Sequence, residues 1–227
     1  MEENISSGKV STGVPGLDDV LRGGFTTGKM HLVSGSPGSG KTTLSLHFIG
    51  EGIARRERCL YISVAGSQVE FEDLAAATGI TLDPAFFTGH TLQIGSEVLE
   101  GPGRRIFHSS EVEPPAVIND LFAEIARLKP HRIVIDSLSD LRLLVEDAAM
   151  YRRLVLALRQ EFDRQEYTVL IASNTNAHGT ELDLSLETIC HAVIHLEQIV
   201  LGYGPVRRRL IVQKMRGRAY RSGWHDF

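Results

Sequence analysis

The side chains with the clearest chemical potential lie in the segment Lys29–Phe48, which reads KMHLVSGSPGSGKTTLSLHF. The spacing G-x-x-x-x-G-K-[ST], typical of a loop that binds polyphosphate, is filled here by Gly35, Gly40, Lys41 and Thr42. Such a loop points backbone N–H groups inward, which requires dihedral angles that glycine adopts without steric cost. The helix that follows favours anions at its N-terminus. The segment therefore predicts a nucleotide phosphate site in the order strand, loop, helix.

Every residue of this loop is expected to contribute to the phosphate site. The predicted contacts come from Gly35, Ser36, Pro37, Gly38, Ser39, Gly40, Lys41, Thr42 and Thr43. In loops of this kind the lysine ammonium reaches the β- and γ-phosphates, and the next hydroxyl binds Mg²⁺. We therefore predict a catalytic and phosphate-binding role for Lys41 and a metal-binding role for Thr42. An ordinary glycine-rich turn is disfavoured because all the fixed positions are filled.

Two polar residues at the ends of later apolar runs are candidates for the same site. Asp136 ends the run Arg132–Asp136, and in P-loop proteins an aspartate at such a strand end holds Mg²⁺, usually through water. Asn174 follows the apolar run Thr168–Ser173. Its amide could contact a γ-phosphate at the carboxyl edge of the sheet, or it could form a turn. We predict Asp136 as a metal ligand and leave both interpretations of Asn174 open.

The remaining sequence alternates between helical and strand patterns, which is typical of a parallel sheet flanked by helices. Strands are predicted at Cys59–Val64, Thr91–Ile94, Ala192–Leu196 and Arg208–Val212, and helices at Gln68–Thr78, Val117–Leu128 and Ala148–Gln165. The turn-rich link Gly202–Pro205 favours an antiparallel hairpin near the C-terminus. Residues 95–115 form a long connection of unassigned role. The fold class is therefore α/β with a mainly parallel central sheet.

Length and composition limit the classes of protein that fit. The 227 residues suit one α/β domain, with residues 1–9 expected to be flexible. The net charge of −4 gives no general attraction to DNA or anionic membranes. No apolar stretch suits a signal peptide or a membrane span, and the two cysteines form no C-x-x-C pattern. A cytoplasmic protein with buried free thiols is expected.

A basic cluster near the C-terminus is unusual for a chain of this net charge. Its members are Arg207, Arg208, Arg209, Lys214, Arg216, Arg218 and Arg221. Three interpretations remain open: a solvated sheet edge that resists aggregation, a nucleic-acid patch, or cations directed at the phosphates of a neighbouring subunit.

Four motifs in a fixed order resemble the KaiC domain, a branch of the RecA-type P-loop ATPases. They are STGVPGLD at Ser11–Asp18, GSPGSGKTT at Gly35–Thr43, VIDSL at Val134–Leu138 and KMRG at Lys214–Gly217. The resemblance extends from about Lys9 to Phe227, and it implies a single RecA-like domain spanning residues 1–227 that binds ATP with Mg²⁺.

The resemblance also implies an assembly. Proteins of this family form rings, commonly hexamers, with ATP between neighbouring subunits. The basic pair of the KMRG motif, here Lys214 and Arg216, is implied to reach the γ-phosphate bound by the next subunit. The expected partners are further copies of this chain and an unidentified regulatory protein, whereas nucleic acid is not expected.

One position departs from the family pattern. Family members follow the second strand with two glutamates that supply the catalytic base, and this sequence has Ala65 and Gly66 there. Glu70 and Glu72 fall a turn later on the predicted helix. Because a general base contributes about 10²- to 10⁴-fold in rate, we expect slow hydrolysis and a regulatory or signalling role. The alternative is a RecA-type recombination or repair accessory ATPase that binds DNA through the basic cluster.

Overall fold

A computed structural model describes residues 8–63, 68–92, 116–140, 148–174, 186–200 and 202–227. Ala65, Gly66 and the whole connection predicted at residues 95–115 lie outside these ranges, as do residues 1–7. Among the helices within them, none is both long and apolar enough to cross a membrane.

The helices and strands alternate along most of the chain. The helices are α1 (Pro15–Val20), α2 (Lys41–Ala54), α3 (Gln68–Ala77), α4 (Ala116–Leu128) and α5 (Ala148–Gln165). The strands are β1 (Lys9–Val10), β2 (Phe25–Thr26), β3 (Met30–Gly35), β4 (Cys59–Ser63), β5 (Phe87–Thr91), β6 (Arg132–Asp136), β7 (Thr168–Asn174), β8 (Ala192–Ile199), β9 (Arg207–Met215) and β10 (Trp224–Asp226).

Eight strands form one sheet in the order β10-β9-β8-β3-β7-β6-β4-β5. The six strands from β8 to β5 in this order are parallel, whereas β9 and β10 run antiparallel to their neighbours. The short strands β1 and β2 pair separately. These observations confirm the predicted fold class, a mainly parallel sheet flanked by helices with an antiparallel C-terminal hairpin.

The central strands are buried on both faces, which explains their continuous apolar sequences. Leu32 and Ile135 face one core, where α5 contributes Leu158. Val33 and Phe48 belong to the core on the other face, which α2 covers. The helices thereby hold β3 and β6 in the middle of the molecule.

The edge strands differ from the sequence prediction. Strand β5 occupies Phe87–Thr91 and overlaps the strand predicted at Thr91–Ile94 only at Thr91. Leu92 lies beyond β5, and residues 93 and 94 lie outside the described ranges. Strand β10 was not predicted. Both are edge strands with half-exposed or exposed side chains, and they therefore lack the apolar runs that identify central strands. The two cysteines are buried free thiols, as expected, and burial raises the pKa of each to about 12.

Candidate functional site

The carboxyl ends of four parallel strands bring the predicted site residues to one edge of the sheet. Gly35 at the end of β3 pairs in register with Asn174 at the end of β7. Ser63 at the end of β4 pairs with Asp136 at the end of β6. In open α/β sheets ligands bind at this edge, so the fold gathers the loop, the carboxylate and the amide from distant parts of the sequence.

The loop between β3 and α2 has the backbone geometry of a phosphate cradle. Gly38 and Gly40 have φ angles of 78° and 103°, a region that favours glycine. Gly40 also precedes the first turn of α2. The hydroxyl of Ser39 is buried and has no hydrogen-bond partner within the described ranges. Left-handed glycines, helix N-terminus and unsatisfied hydroxyl together fit a bound polyphosphate.

Lys41 lies folded across its own loop. Its side chain is buried, and its ammonium donates to the carbonyl oxygens of Gly35 and Ser36, each at 2.9 Å. Burial lowers the pKa of Lys41, and the nearby carboxylate of Asp136 acts in the opposite direction. A partly desolvated cation inside the loop is in position to pair with a phosphate group.

The predicted metal ligands are in direct contact. The hydroxyl of Thr42 donates to Oδ2 of Asp136 at 2.9 Å, and the phenol of Tyr61 donates to the same oxygen at 2.6 Å. Burial raises the pKa of Tyr61, and Asp136 raises it further, so the phenol stays protonated as a donor. The sequence prediction did not include Tyr61. The signal that could have identified it is its place in a strand that is buried throughout, since the hydroxyl of a buried tyrosine needs a hydrogen-bond partner.

A polar chamber of about 310 Å³ opens between the loop and the strand ends. Its lining includes Pro37, Gly38, Lys41, Thr42, Tyr61, Ser63, Glu70, Asp136, Asp140 and Asn174. Asn174 therefore lies beside the predicted metal ligands. Glu70, from the first turn of α3, also lines the chamber, although the sequence alone gave it no role.

A second and larger cavity of about 800 Å³ lies on the other side of the loop. The two cavities share Gly38, Lys41 and Thr42, and the larger one adds Val14, Leu17, Thr43, His47, Arg221 and Phe227 to its lining. Its volume lies within the range of small-molecule sites. The loop thus separates a small polar space from a larger one that could hold a base and a sugar.

The antiparallel C-terminal strands support the loop from the side. The Nε of Arg208 donates to the carbonyl of Gly38 at 3.2 Å. Phe227, directly after β10, approaches Gly40 so closely that a Cβ at that glycine would lie 3.5 Å from the phenylalanine ring. The sequence missed this support because β10 itself was not recognised.

Lys214 and Arg216 lie at the opposite edge of the sheet. Arg208 marks the end of β9 at the loop, and eight residues of extended chain separate it from Arg216 by roughly 25 Å. The guanidinium of Arg216 donates to the carbonyl of Thr188 at 2.6 Å, and the ammonium of Lys214 donates to the carbonyl of Glu187. The structure therefore does not bring these two cations to the phosphate loop of their own chain.

A small cavity of about 180 Å³ adjoins Arg216 at this far edge. Its other charged lining residues are Lys29, Arg159 and Asp163. Asp163 pairs with Lys29 at 3.3 Å and with Arg159 at 3.4 Å. Three cations surrounding one carboxylate leave this cavity with a net positive lining.

The rest of the basic cluster is divided among different neighbours. Arg209 pairs with Glu197 at 2.6 Å and lies over the ring of Trp224 at 4.1 Å. Arg218 donates to main-chain carbonyls of the turn after α1, including that of Gly24 at 3.2 Å. These contacts favour structural roles for Arg209 and Arg218 over a shared nucleic-acid surface.

Comparisons with known proteins agree on one family. The family model described as "ATPase: KaiC" matches residues 10–227. The circadian clock oscillator protein KaiC 1 of Synechocystis is 30% identical over 231 residues, which is 100% of this chain but 41% of that protein. A UPF0273 protein of Thermotoga maritima is 28% identical over 228 residues, 96% of this chain and 91% of that protein.

A solved structure supports the same architecture. The KaiC-like protein of Pyrococcus horikoshii superimposes with a TM-score of 0.78 at 19% identity, covering 97% of this chain and 94% of that one. At this level of identity the likeness shows a shared RecA-like fold.

Proposed function

This chain belongs to the KaiC family of ATPases, and from that premise we propose that it binds Mg-ATP at the subunit interfaces of a homo-oligomeric ring. We further propose that it hydrolyses ATP slowly and serves as a regulatory or signalling ATPase. The observation that carries the nucleotide site is the 2.9 Å contact between the Thr42 hydroxyl and Asp136, beside the buried ammonium of Lys41.

The donor set suits magnesium. Mg²⁺ prefers oxygen ligands and is usually held by one or two protein oxygens together with water and phosphate. Thr42 and Asp136 supply a hydroxyl and a carboxylate at one point, and Tyr61 orients the carboxylate. Bound there, Mg²⁺ would neutralise charge on the β- and γ-phosphates.

The two cavities support a position for the whole nucleotide. The base and ribose fit the larger cavity beside His47 and Phe227, and the phosphates follow the loop from Gly38 to Lys41. The terminal phosphate then enters the polar chamber, where the amide of Asn174 is available as a γ-phosphate sensor. Bound ATP would therefore extend from the larger, less polar cavity into the small polar chamber.

The far edge supports the homo-oligomer. Lys214 and Arg216 are too distant from the loop of their own chain, and the cavity beside Arg216 has a positive lining. A head-to-tail contact would place these cations against the phosphate site of the next copy, and repetition of such a contact closes a ring when the rotation permits. We propose this trans role for both residues, with a hexamer as the size that the family implies.

Slow hydrolysis follows from the sequence at Ala65 and Gly66, which have no side chain that can accept a proton. The loss of a general base costs about 3 to 5 kcal/mol of barrier. Nucleotide affinity depends instead on the loop, the helix N-terminus and Mg²⁺. Nucleotide occupancy, more than turnover, would then set the state that a regulatory partner detects.

The test is Mg-ATP binding by the wild type and by Lys41→Ala, measured by isothermal titration calorimetry. Loss of the proposed charge-assisted contacts between the Lys41 ammonium and the β- and γ-phosphates should weaken binding about 100-fold. Lys129→Ala, an exposed lysine outside both cavities, is the matched control and should bind like the wild type. A wild type that does not bind Mg-ATP would contradict the proposed function.

A further inference from the structure

Building on the proposed Mg-ATP site, we propose that Glu70 is the general base for the hydrolysis that this chain retains. The family pattern supplies this base from two glutamates, and the chain has Ala65 and Gly66 at that place. Glu70 comes from the helix that follows the same strand, β4, and it lines the chamber that holds Lys41 and Asp136.

The helical phase of α3 directs Glu70 towards the chamber. Glu70 and Leu74, one turn apart, both line it, so this face of the helix borders the phosphate site. Glu72 is two residues further along, about 200° around the helix axis, and does not line the chamber. The two glutamates on α3 therefore differ in the surface that they face.

Packing fixes this phase of the helix. Phe71, next to Glu70, is buried, and its ring lies 3.9 Å from that of Tyr61 and 5.6 Å from that of Phe87. Ala75, one turn later, is also buried. A rotation that removed Glu70 from the chamber would expose Phe71 to water, which is unfavourable because the aromatic ring would lose its burial.

The other carboxylates of the chamber have different tasks. Asp136 accepts hydrogen bonds from Thr42 and Tyr61 and is the proposed metal ligand. Asp140 accepts a hydrogen bond from the Ser137 hydroxyl at 2.7 Å, in the turn that follows β6. Glu70 is the carboxylate among the described lining residues that comes from the β4 side, the side from which the family pattern supplies its base.

The proposed step is the hydrolysis of the γ-phosphate of ATP by water. A water oxygen attacks the γ-phosphorus, and the Glu70 carboxylate accepts a proton from that water. The bond between the γ-phosphorus and the β–γ bridging oxygen breaks, and ADP leaves with the electron pair. The products are ADP and inorganic phosphate, and the proton on Glu70 then passes to solvent.

The experiment compares Glu70→Gln with Glu72→Gln in the full chain. Phosphate release from radiolabelled ATP and Mg-ATP affinity are measured on the same preparations, with Lys41→Ala as the baseline. We expect Glu70→Gln to lower turnover about 100-fold or more while Mg-ATP affinity stays within a few-fold of wild type. Glu72→Gln should retain both properties, and retained affinity demonstrates that each variant is folded.

Several outcomes would overturn the assignment of Glu70. Equal turnover in Glu70→Gln and wild type would do so, and so would a wild type no faster than Lys41→Ala. A parallel loss of affinity and turnover would indicate a binding role and would overturn it as well. In each case wild-type Mg-ATP binding would leave the proposed nucleotide site intact, although a wild type no faster than Lys41→Ala would also contradict the proposed slow hydrolysis. Absence of Mg-ATP binding would contradict the proposed function itself.

Discussion

The carboxyl ends of the parallel strands form the loop edge of the central sheet, and their amino ends form the far edge. The charged groups at these two edges have different hydrogen-bond partners. At the loop edge, Thr42 and Tyr61 both donate to Asp136, and Lys41 donates into its own loop. At the far edge, Lys214 and Arg216 donate to main-chain carbonyls, beside a cavity with a surplus of positive charge. The loop edge has most of the groups that a phosphate site requires. The far edge has additional cations that such a site could use.

The separation of the two edges is built into strand β9. It pairs with β8 from Ala192–Met215 at one end to Ile199–Arg207 at the other, so its length is fixed by the sheet. Arg208 and Arg216 therefore cannot meet at one nucleotide within a single chain. The contrast teaches that a second copy has to complete the site if both edges act on the same phosphate.

The largest expected effect comes from Arg216→Ala, which removes one of the two cations that are proposed to act in trans from the far edge. Cations that act in trans on phosphoryl transfer contribute about a thousandfold or more to the rate. Turnover should fall by that factor while Mg-ATP binding stays within a few-fold of wild type. Arg127→Ala, which breaks only the exposed pair with Glu124, is the control for loss of a surface arginine. Unchanged turnover in Arg216→Ala would remove the far edge from the site.

A smaller effect is expected from Tyr61→Phe at the loop edge. The variant keeps the ring packing but loses the 2.6 Å hydrogen bond to Asp136. Substitution of a residue that orients a metal-binding carboxylate typically lowers metal affinity by about 10-fold or more. The Mg²⁺ concentration for half-maximal ATP binding should therefore rise about 10-fold, and Tyr203→Phe, at a highly exposed position, should leave it unchanged. An unaltered Mg²⁺ dependence in Tyr61→Phe would mean that Thr42 alone orients Asp136.

The sequence predicted the parts of the loop edge that depend on local spacing. The phosphate loop is contiguous, and Asp136 ends a strand whose apolar run is easy to recognise. The role of Tyr61 depends on the pairing of β4 with β6, which brings it to a carboxylate far along the chain. The role of Glu70 depends on the packing of Phe71, which sets the direction that Glu70 faces. A short sequence pattern predicts neither the Tyr61–Asp136 contact nor the packing of Phe71.

The far edge was less accessible to sequence reasoning. Spacing alone left the basic cluster with three interpretations, and only the family resemblance singled out Lys214 and Arg216. The central strands were predicted because burial on both faces produces continuous apolar runs. Strands β5 and β10 lie at the sheet edges with half-exposed or exposed side chains, and no such signal marks them.

Whether two copies of the chain share one phosphate site can be measured by mixing two variants that should each be inactive. Lys41→Ala lacks the lysine of the loop but keeps Arg216, whereas Arg216→Ala lacks the arginine but keeps Lys41. In randomly mixed rings about a quarter of the interfaces combine an intact loop with an intact arginine. We predict that an equal mixture recovers about this share of wild-type turnover. A mixture no more active than the separate variants would contradict a site shared between two copies of the chain.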